Sequence, residues 1–148
     1  MRFGTKGNNM KVLVDTNVLF SAIVFPRSKP AMALEKAIME CKIVLCEQNI
    51  HELDDVIQRK CPNKIANVQK WLNRTEYELL PLVNNTCKEI RDATDQPILN
   101  AAIAYGVDII LTGDKDFLSM SLEKPVCMAP TQFLAIDTLD SKSEKDYQ

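Results

Sequence analysis

Several features that mark other protein classes are missing from this chain of 148 residues. No apolar run approaches the roughly 18 residues that a membrane span needs. The first residues, MRFGTKGNNM, carry no hydrophobic stretch of the kind found in signal peptides. The five cysteines include no Cys-x-x-Cys pair, which favours reduced thiols that pack as small core residues. We therefore expect a soluble, cytoplasmic protein.

Histidine and net charge are also scarce. The only histidine, His51, excludes a histidine-rich zinc site and a multi-histidine catalytic centre. The net charge of −2 provides no overall basic field, yet the stretch from Gln58 to Arg74 has five basic residues and no acidic one. This stretch is either a solvated helical face or a patch that contacts phosphates. Its basic residues are Arg59, Lys60, Lys64, Lys70 and Arg74.

Short apolar segments alternate with helical patterns along the chain. Glu78–Val83 contains Pro81, so it predicts an edge or irregular strand. The other predicted strands are Lys11–Val14, Ile43–Cys46, Asp108–Leu111 and Pro125–Met128, with a further extended piece at Cys87–Ile90. The predicted helices are Val18–Val24, Ala31–Cys41 with Ser28 as its cap, Glu47–Lys60, Lys64–Asn73, a helix from a cap at Thr94 to about Tyr105, and a final turn at Thr131–Ile136.

This alternation predicts an α/β fold: a mostly parallel sheet with helices on both faces. We see no internal repeat and no second domain. The expected organisation is a flexible leader over residues 1–9, one folded domain over residues 10–138, and a polar, disordered tail over residues 139–148.

Carboxylates follow two of the predicted strands. Asp15 comes directly after Lys11–Val14, and Asp114 and Asp116 come shortly after Asp108–Leu111. In parallel sheets, ligands bind beyond the carboxyl ends of the strands, so these side chains predict a shared acidic pocket. Each also has a structural interpretation, since Asp15 could cap a helix and the Gly-Asp sequence could form an ordinary turn.

Two further acidic positions lie on predicted helices. Asp95 falls on the apolar face of its helix, and this inward direction favours a metal-site role over a simple interaction with the helix dipole. Within Glu47–Lys60, Glu52 lies at one margin of the apolar stripe and Asp54 at the other. Spacing alone does not choose between them, and Glu47 also lies near a strand end.

An acidic site without histidine suits a hard cation. Clustered carboxylates raise each other's pKa unless a cation compensates their charge. Mg²⁺ and Mn²⁺ prefer oxygen ligands, and such ions can activate water for phosphodiester hydrolysis. The residues therefore predict a metal-dependent nuclease, in which the basic stretch and Lys115 would contact the polyanion.

The order of these motifs resembles the PIN-domain family, in particular the VapC-like toxin components of bacterial toxin–antitoxin pairs. The resemblance runs from Lys11 to about Ile136. Its motifs are Val14-Asp15-Thr16-Asn17-Val18-Leu19, Glu52-Leu53, Asp95-Gln96-Pro97-Ile98-Leu99-Asn100-Ala101-Ala102 and Thr112-Gly113-Asp114-Lys115-Asp116-Phe117.

The resemblance implies a PIN-like three-layer α/β/α sandwich and Mg²⁺- or Mn²⁺-dependent endonuclease activity on single-stranded RNA, leaving a 5′-phosphate. Asp15, Glu52, Asp95 and Asp114 would form the acidic centre, with Asp116 as a further ligand or support. Thr16, Asn17 and Thr112 would hold the metal-binding carboxylates in place. The resemblance also implies a cognate antitoxin and suggests a homodimer.

Three other functions fit parts of the sequence. A PIN nuclease of RNA processing or maturation would share all of this chemistry. A catalytically silent PIN-like binding module would use the same acidic residues only as caps. A phosphatase built on Asp15 is disfavoured, because Asp15-Thr16-Asn17 lacks the second aspartate of a haloacid-dehalogenase-type loop.

Overall fold

The computed structural model describes residues 10–81, 96–120 and 122–138. Several predicted features lie outside these ranges: the leader over residues 1–9, the extended piece Cys87–Ile90, the cap Thr94, the candidate ligand Asp95 and the tail over residues 139–148. Within the described ranges, no helix combines the length and apolar character needed to cross a membrane.

The described strands form one parallel sheet. They are β1 (Lys11–Val14), β2 (Lys42–Cys46), β3 (Tyr77–Leu80), β4 (Ile109–Leu111) and β5 (Val126–Met128). Their order across the sheet is β3-β2-β1-β4-β5, and every neighbouring pair is parallel. Glu78–Val83 was predicted as an edge or irregular strand; β3 does lie at one edge, but it ends at Leu80, before Pro81, and residues 82 and 83 lie outside the described ranges.

Helices lie between these strands and after the last one. They are α1 (Thr16–Val24), α2 (Lys29–Glu40), α3 (Glu47–Lys60), α4 (Ile65–Arg74), α5 (Gln96–Ala104), α6 (Lys115–Leu118) and α7 (Pro130–Ala135), with a 3₁₀ turn at Pro62–Lys64. The predicted cap of α2 is confirmed, since Ser28 Oγ accepts a hydrogen bond from the Ala31 backbone N–H at 3.3 Å. Gly106 follows α5 with a φ of 67°, a conformation that suits glycine at the end of a helix.

Alternate residues of the strands face two separate cores. Val12 and Val14 pack on one side of the sheet against α1, α2, α3, α4 and α7, whereas Leu13 packs on the other side against α5 and α6. Because both faces are covered, the central strands are apolar on both sides, as buried parallel strands usually are. The predicted three-layer α/β/α fold is confirmed.

Two local predictions need correction. Helix α1 begins at Thr16 rather than Val18, because the Asp15 side chain accepts a hydrogen bond from the Thr16 backbone N–H and caps the helix. The predicted helices also lacked α6. Asp114 caps this one-turn helix, and its Oδ1 accepts a hydrogen bond from the Asp116 backbone N–H at 2.8 Å.

The strand order places a crevice between β1 and β4. The chain runs outward from β1 in one direction through β2 and β3, and in the other direction through β4 and β5. At such a switch point the connections leave on opposite faces, so a crevice opens at the carboxyl ends of the two strands. Asp15 follows β1 and Asp114 follows β4, so both carboxylates border this crevice.

Candidate active site

Asp15 lies at the centre of a buried hydrogen-bond network. Only 5% of its surface is exposed. Its Oδ1 accepts a hydrogen bond from the Thr16 backbone N–H at 2.8 Å, and its Oδ2 accepts one from Thr112 Oγ1 at 2.8 Å. Its own backbone N–H donates to the Leu111 carbonyl at 2.9 Å. The ends of β1 and β4 are therefore tied together at this carboxylate.

The environment disfavours the charged form of Asp15. Burial raises the pKa of this carboxyl group above its ordinary value, and the nearby negative charges of Glu52 and Asp114 raise it further. The hydrogen bonds from Thr112 and Thr16 act in the opposite direction and lower the pKa. The hydrogen bonds thus offset only part of the effect of burial and of the nearby negative charges. A bound cation would further stabilise the charged form of Asp15.

Thr16 connects Asp15 to Glu52. The Thr16 hydroxyl donates to Glu52 Oε1 at 2.8 Å, while Gln48 Nε2 donates to Glu52 Oε2 at 3.0 Å. Asp54 is exposed and instead accepts a hydrogen bond from Gln58 Nε2 at 3.0 Å.

The sequence alone did not decide which acidic residue of α3 joins the site: Glu47, Glu52 or Asp54. The structure brings Glu52 into contact with the Asp15 network. Glu47 is exposed in the first turn of the helix.

Asn49 is a member of this network that we did not predict. It is fully buried, and its Nδ2 donates to Thr16 Oγ1 at 3.2 Å and, at a longer 3.4 Å, to Asp15 Oδ1. Its Oδ1 accepts a hydrogen bond from the Cys46 backbone N–H at 3.2 Å, which fixes the start of α3. Asn49 lies one helical turn before the buried Leu53, and an asparagine on an apolar stripe is the signal that could have identified it.

The loop after β4 is held against the loop after β1. Thr112 Oγ1, which donates to Asp15, also accepts a hydrogen bond from the Asp114 backbone N–H at 3.0 Å. Asn17 bridges the same two loops, because its Nδ2 donates to Asp15 Oδ2 at 3.1 Å and its Oδ1 accepts from the Gly113 backbone N–H at 3.1 Å. The three polar residues Thr16, Asn17 and Thr112 therefore all contact the Asp15 side chain.

Asp15, Glu52 and Asp114 line one open cavity of about 410 Å³. Asp116 does not line it. The cavity extends along α1 and α3, where its remaining lining residues are Thr16, Asn17, Phe20, Ser21, Asp55, Val56, Arg59 and Lys60. A pocket of this size is in the range that holds small ligands.

The basic stretch is divided between two surfaces. Arg59 and Lys60, at the end of α3, line the acidic cavity. Lys70 and Arg74, on α4, line a separate groove formed with α1 and α2. Lys64 lies in the 3₁₀ turn between α3 and α4, and Lys115 is exposed in the first turn of α6. The division arises because the turn at Pro62–Lys64 redirects the chain between the two helices.

The residues of the cavity fit a hard divalent cation. Among the described residues, no group of three His, Cys, Asp or Glu side chains is already set in a metal-binding arrangement. However, Asp15, Glu52 and Asp114 share one cavity and offer only oxygen atoms, which Mg²⁺ and Mn²⁺ prefer. A carboxylate has about four acceptor sites. Four donors already contact the Asp15 carboxylate. A cation that binds Asp15 would therefore replace one of the longer hydrogen bonds, such as the one from Asn49.

Comparisons with known proteins agree with this architecture. A sequence model of the PIN domain matches residues 11–116. The structure of VapBC2 from Rickettsia felis, bound to a DNA fragment from its promoter, aligns with a TM-score of 0.60 at 15% identity, covering 81% of this chain and 98% of that chain. The PIN domain endonuclease Utp24 aligns with a TM-score of 0.46 at 13% identity, covering 71% of each chain, a similarity too low to support further inference. No curated protein sequence shows significant similarity.

Proposed function

Because this chain belongs to the PIN-domain family, we propose that it is a metal-dependent endoribonuclease that hydrolyses single-stranded RNA as the toxin of a toxin–antitoxin pair. One observation carries the nuclease proposal. Asp15, Glu52 and Asp114 come from separate parts of the sequence and line one cavity at the switch point of the sheet. A silent binding module would not require three carboxylates in one cavity, where burial and the negative charges of Glu52 and Asp114 raise the pKa of Asp15.

Asp15, Glu52 and Asp114 would hold Mg²⁺ or Mn²⁺, and Asp95 and Asp116 are proposed as further acidic groups of the site. When bound, the ion would supply a more acidic water and stabilise charge on the phosphate. The chain's own residues orient the carboxylates: Thr16 donates to Glu52, and Thr112 donates to Asp15. Arg59 and Lys60 would contact the phosphates of RNA that enters the cavity.

An exposed apolar surface supports a protein partner. Four large apolar side chains near the end of α1 and on α2 are strongly exposed: Phe25 by 57%, Met32 by 46%, Ile38 by 40% and Met39 by 74%. Ile38 also lines the second groove, of about 380 Å³, whose opposite wall carries Lys70 and Arg74. Met32 and Met39 lie seven residues apart on α2 and therefore share one face of the helix, and exposed apolar surface of this kind marks protein interaction sites. We propose that a cognate antitoxin covers it with an apolar segment that carries acidic residues.

The toxin role and the antitoxin partner can be tested in cells. Expression of the chain alone should arrest growth, and growth should recover with Glu52→Gln. A PIN nuclease of RNA processing would instead cleave RNA without arresting growth. Sedimentation of the isolated wild type and of Met39→Lys provides a second readout, since a homodimer that the wild type forms and Met39→Lys does not would contradict the assignment of the apolar surface to an antitoxin.

Cleavage of labelled single-stranded RNA tests the nuclease itself. Glu52→Gln removes one charge but keeps an oxygen that can accept from Thr16, so the fold should persist. Asp54→Asn is the matched control on the same helix, because Asp54 is exposed and outside the cavity. We expect Mn²⁺-dependent cleavage that EDTA abolishes, that falls at least roughly 10- to 100-fold in Glu52→Gln, and that Asp54→Asn retains. Equal cleavage by both variants would contradict the assignment of Glu52.

A further inference from the structure

Phe20 is an aromatic side chain in a cavity whose proposed chemistry needs only carboxylates and cations. It lies on α1 one helical turn after Thr16, so the two side chains share a face of the helix. Phe20 is partly buried, packs against the core beneath α1 and lines the acidic cavity. An aliphatic side chain at this position could pack against the core equally well. An aromatic ring that faces a cavity can in addition stack on a planar ligand.

Lys60 approaches the same ring from α3. Its Nζ lies 5.8 Å from the centroid of the Phe20 ring, near the outer limit of about 6 Å for a cation–π contact. Both Lys60 and Arg59 are exposed and line the cavity together with Phe20. An aromatic surface with adjacent cations therefore lines the same cavity as Asp15 and Asp114.

We propose that Phe20 and Lys60 form a nucleotide subsite beside the acidic centre. An unpaired base stacks on the Phe20 ring, and the Lys60 ammonium group moves from the ring to the adjoining phosphate. This combination suits single-stranded nucleic acid, because a base within a duplex has no free face to stack on a side chain. The inference rests on the proposed function and adds to it a preference for RNA that carries an unpaired base next to the cleaved phosphate.

Binding of short labelled RNA, measured by fluorescence anisotropy in Ca²⁺, tests the subsite separately from cleavage. The probes are a single-stranded oligouridine and an abasic ribose-phosphate oligomer of the same length, with RNA integrity checked on a gel after each titration. Phe20→Leu keeps apolar packing but removes the ring, whereas Phe20→Tyr keeps the ring. Phe25→Leu is the matched control, because Phe25 is 57% exposed and lies outside this cavity.

We expect Phe20→Leu to weaken oligouridine binding by roughly 5- to 100-fold, the range for loss of one stacked base. Phe20→Tyr and Phe25→Leu should bind like the wild type, and the abasic oligomer should not distinguish any of the variants. Equal binding of oligouridine and the abasic oligomer by the wild type would overturn the subsite, as would unchanged oligouridine binding by Phe20→Leu. If the wild type cleaves RNA with Mn²⁺ but does not prefer oligouridine over the abasic oligomer, only the subsite is refuted, whereas absence of cleavage by the wild type would refute the proposed function.

Discussion

The hydrogen bond from Thr112 to Asp15 offers a quantitative test of the network that holds the site together. Thr112 is fully buried, and its hydroxyl donates to Asp15 Oδ2 at 2.8 Å while accepting from the Asp114 backbone N–H at 3.0 Å. Thr112→Val replaces this hydroxyl with a methyl group of similar size. The substitution therefore removes both hydrogen bonds with little change in packing.

The expected loss follows from the charge of the acceptor. A hydrogen bond to an ionised group contributes about 1.5–3 kcal/mol to the free energy of unfolding. The Asp114 N–H is only part-buried, so water can replace its lost acceptor at small additional cost. For a chain of this length each kcal/mol corresponds to about 2–4 °C. We thus expect the melting temperature in EDTA to fall by roughly 3–12 °C.

Urea unfolding followed by circular dichroism gives this free energy directly. Thr131→Val is the control, because Thr131 is exposed on α7. Mn²⁺ affinity should also fall by roughly 10- to 100-fold in Thr112→Val, since the Asp15 carboxylate loses the group that orients it. Equal unfolding free energies for the two valine variants would refute the reasoning that this hydrogen bond stabilises a charged carboxylate.

Two further predictions concern the surface cations and the thiols. Lys60→Gln should lower the salt dependence of RNA binding by about 0.7 in the slope of log K against log salt, whereas Lys70→Gln, in the other groove, should not. An unchanged slope in Lys60→Gln would contradict its contact with RNA, and an equal decrease in both variants would place both lysines on the RNA. Burial raises the pKa of the Cys41 and Cys127 thiols to about 11. At pH 8 only about one in a thousand of each is thiolate, so alkylation should be slow until the protein unfolds. Rapid labelling of Cys41 or Cys127 in the folded protein, located by mass spectrometry of its peptides, would contradict this expectation.

Local sequence patterns were sufficient for the framework of the fold. The apolar Lys11–Val14 segment and the 14-residue helix Glu47–Lys60 match their predicted bounds, because each is marked by a strong local pattern. The carboxylates at the ends of β1 and β4 were also evident, since the carboxyl ends of parallel strands meet at one edge of the sheet. In both cases, the relevant information lies within a few residues.

Contacts between distant residues could not be predicted in the same way. Glu52, rather than Asp54, joins the Asp15 network because it accepts a hydrogen bond from the Thr16 hydroxyl, which lies 36 residues earlier in the chain. Asn49 resembles a core position by spacing, and only the folded structure shows that it donates to Thr16. The basic residues form one run in sequence, yet Lys60 and Lys70 lie on different surfaces because the chain turns between α3 and α4.

Calorimetric titration of Mn²⁺ into the metal-free protein tests the central claim most directly, namely that Asp15, Glu52 and Asp114 act together as a cation site. We expect saturable binding by the wild type and by Asp54→Asn, and binding at least roughly 10-fold weaker by Glu52→Gln. Mn²⁺ at 100 times its dissociation constant should add about 2.7 kcal/mol to the free energy of unfolding. Binding that is unchanged in Glu52→Gln, or no binding by the wild type, would contradict the account.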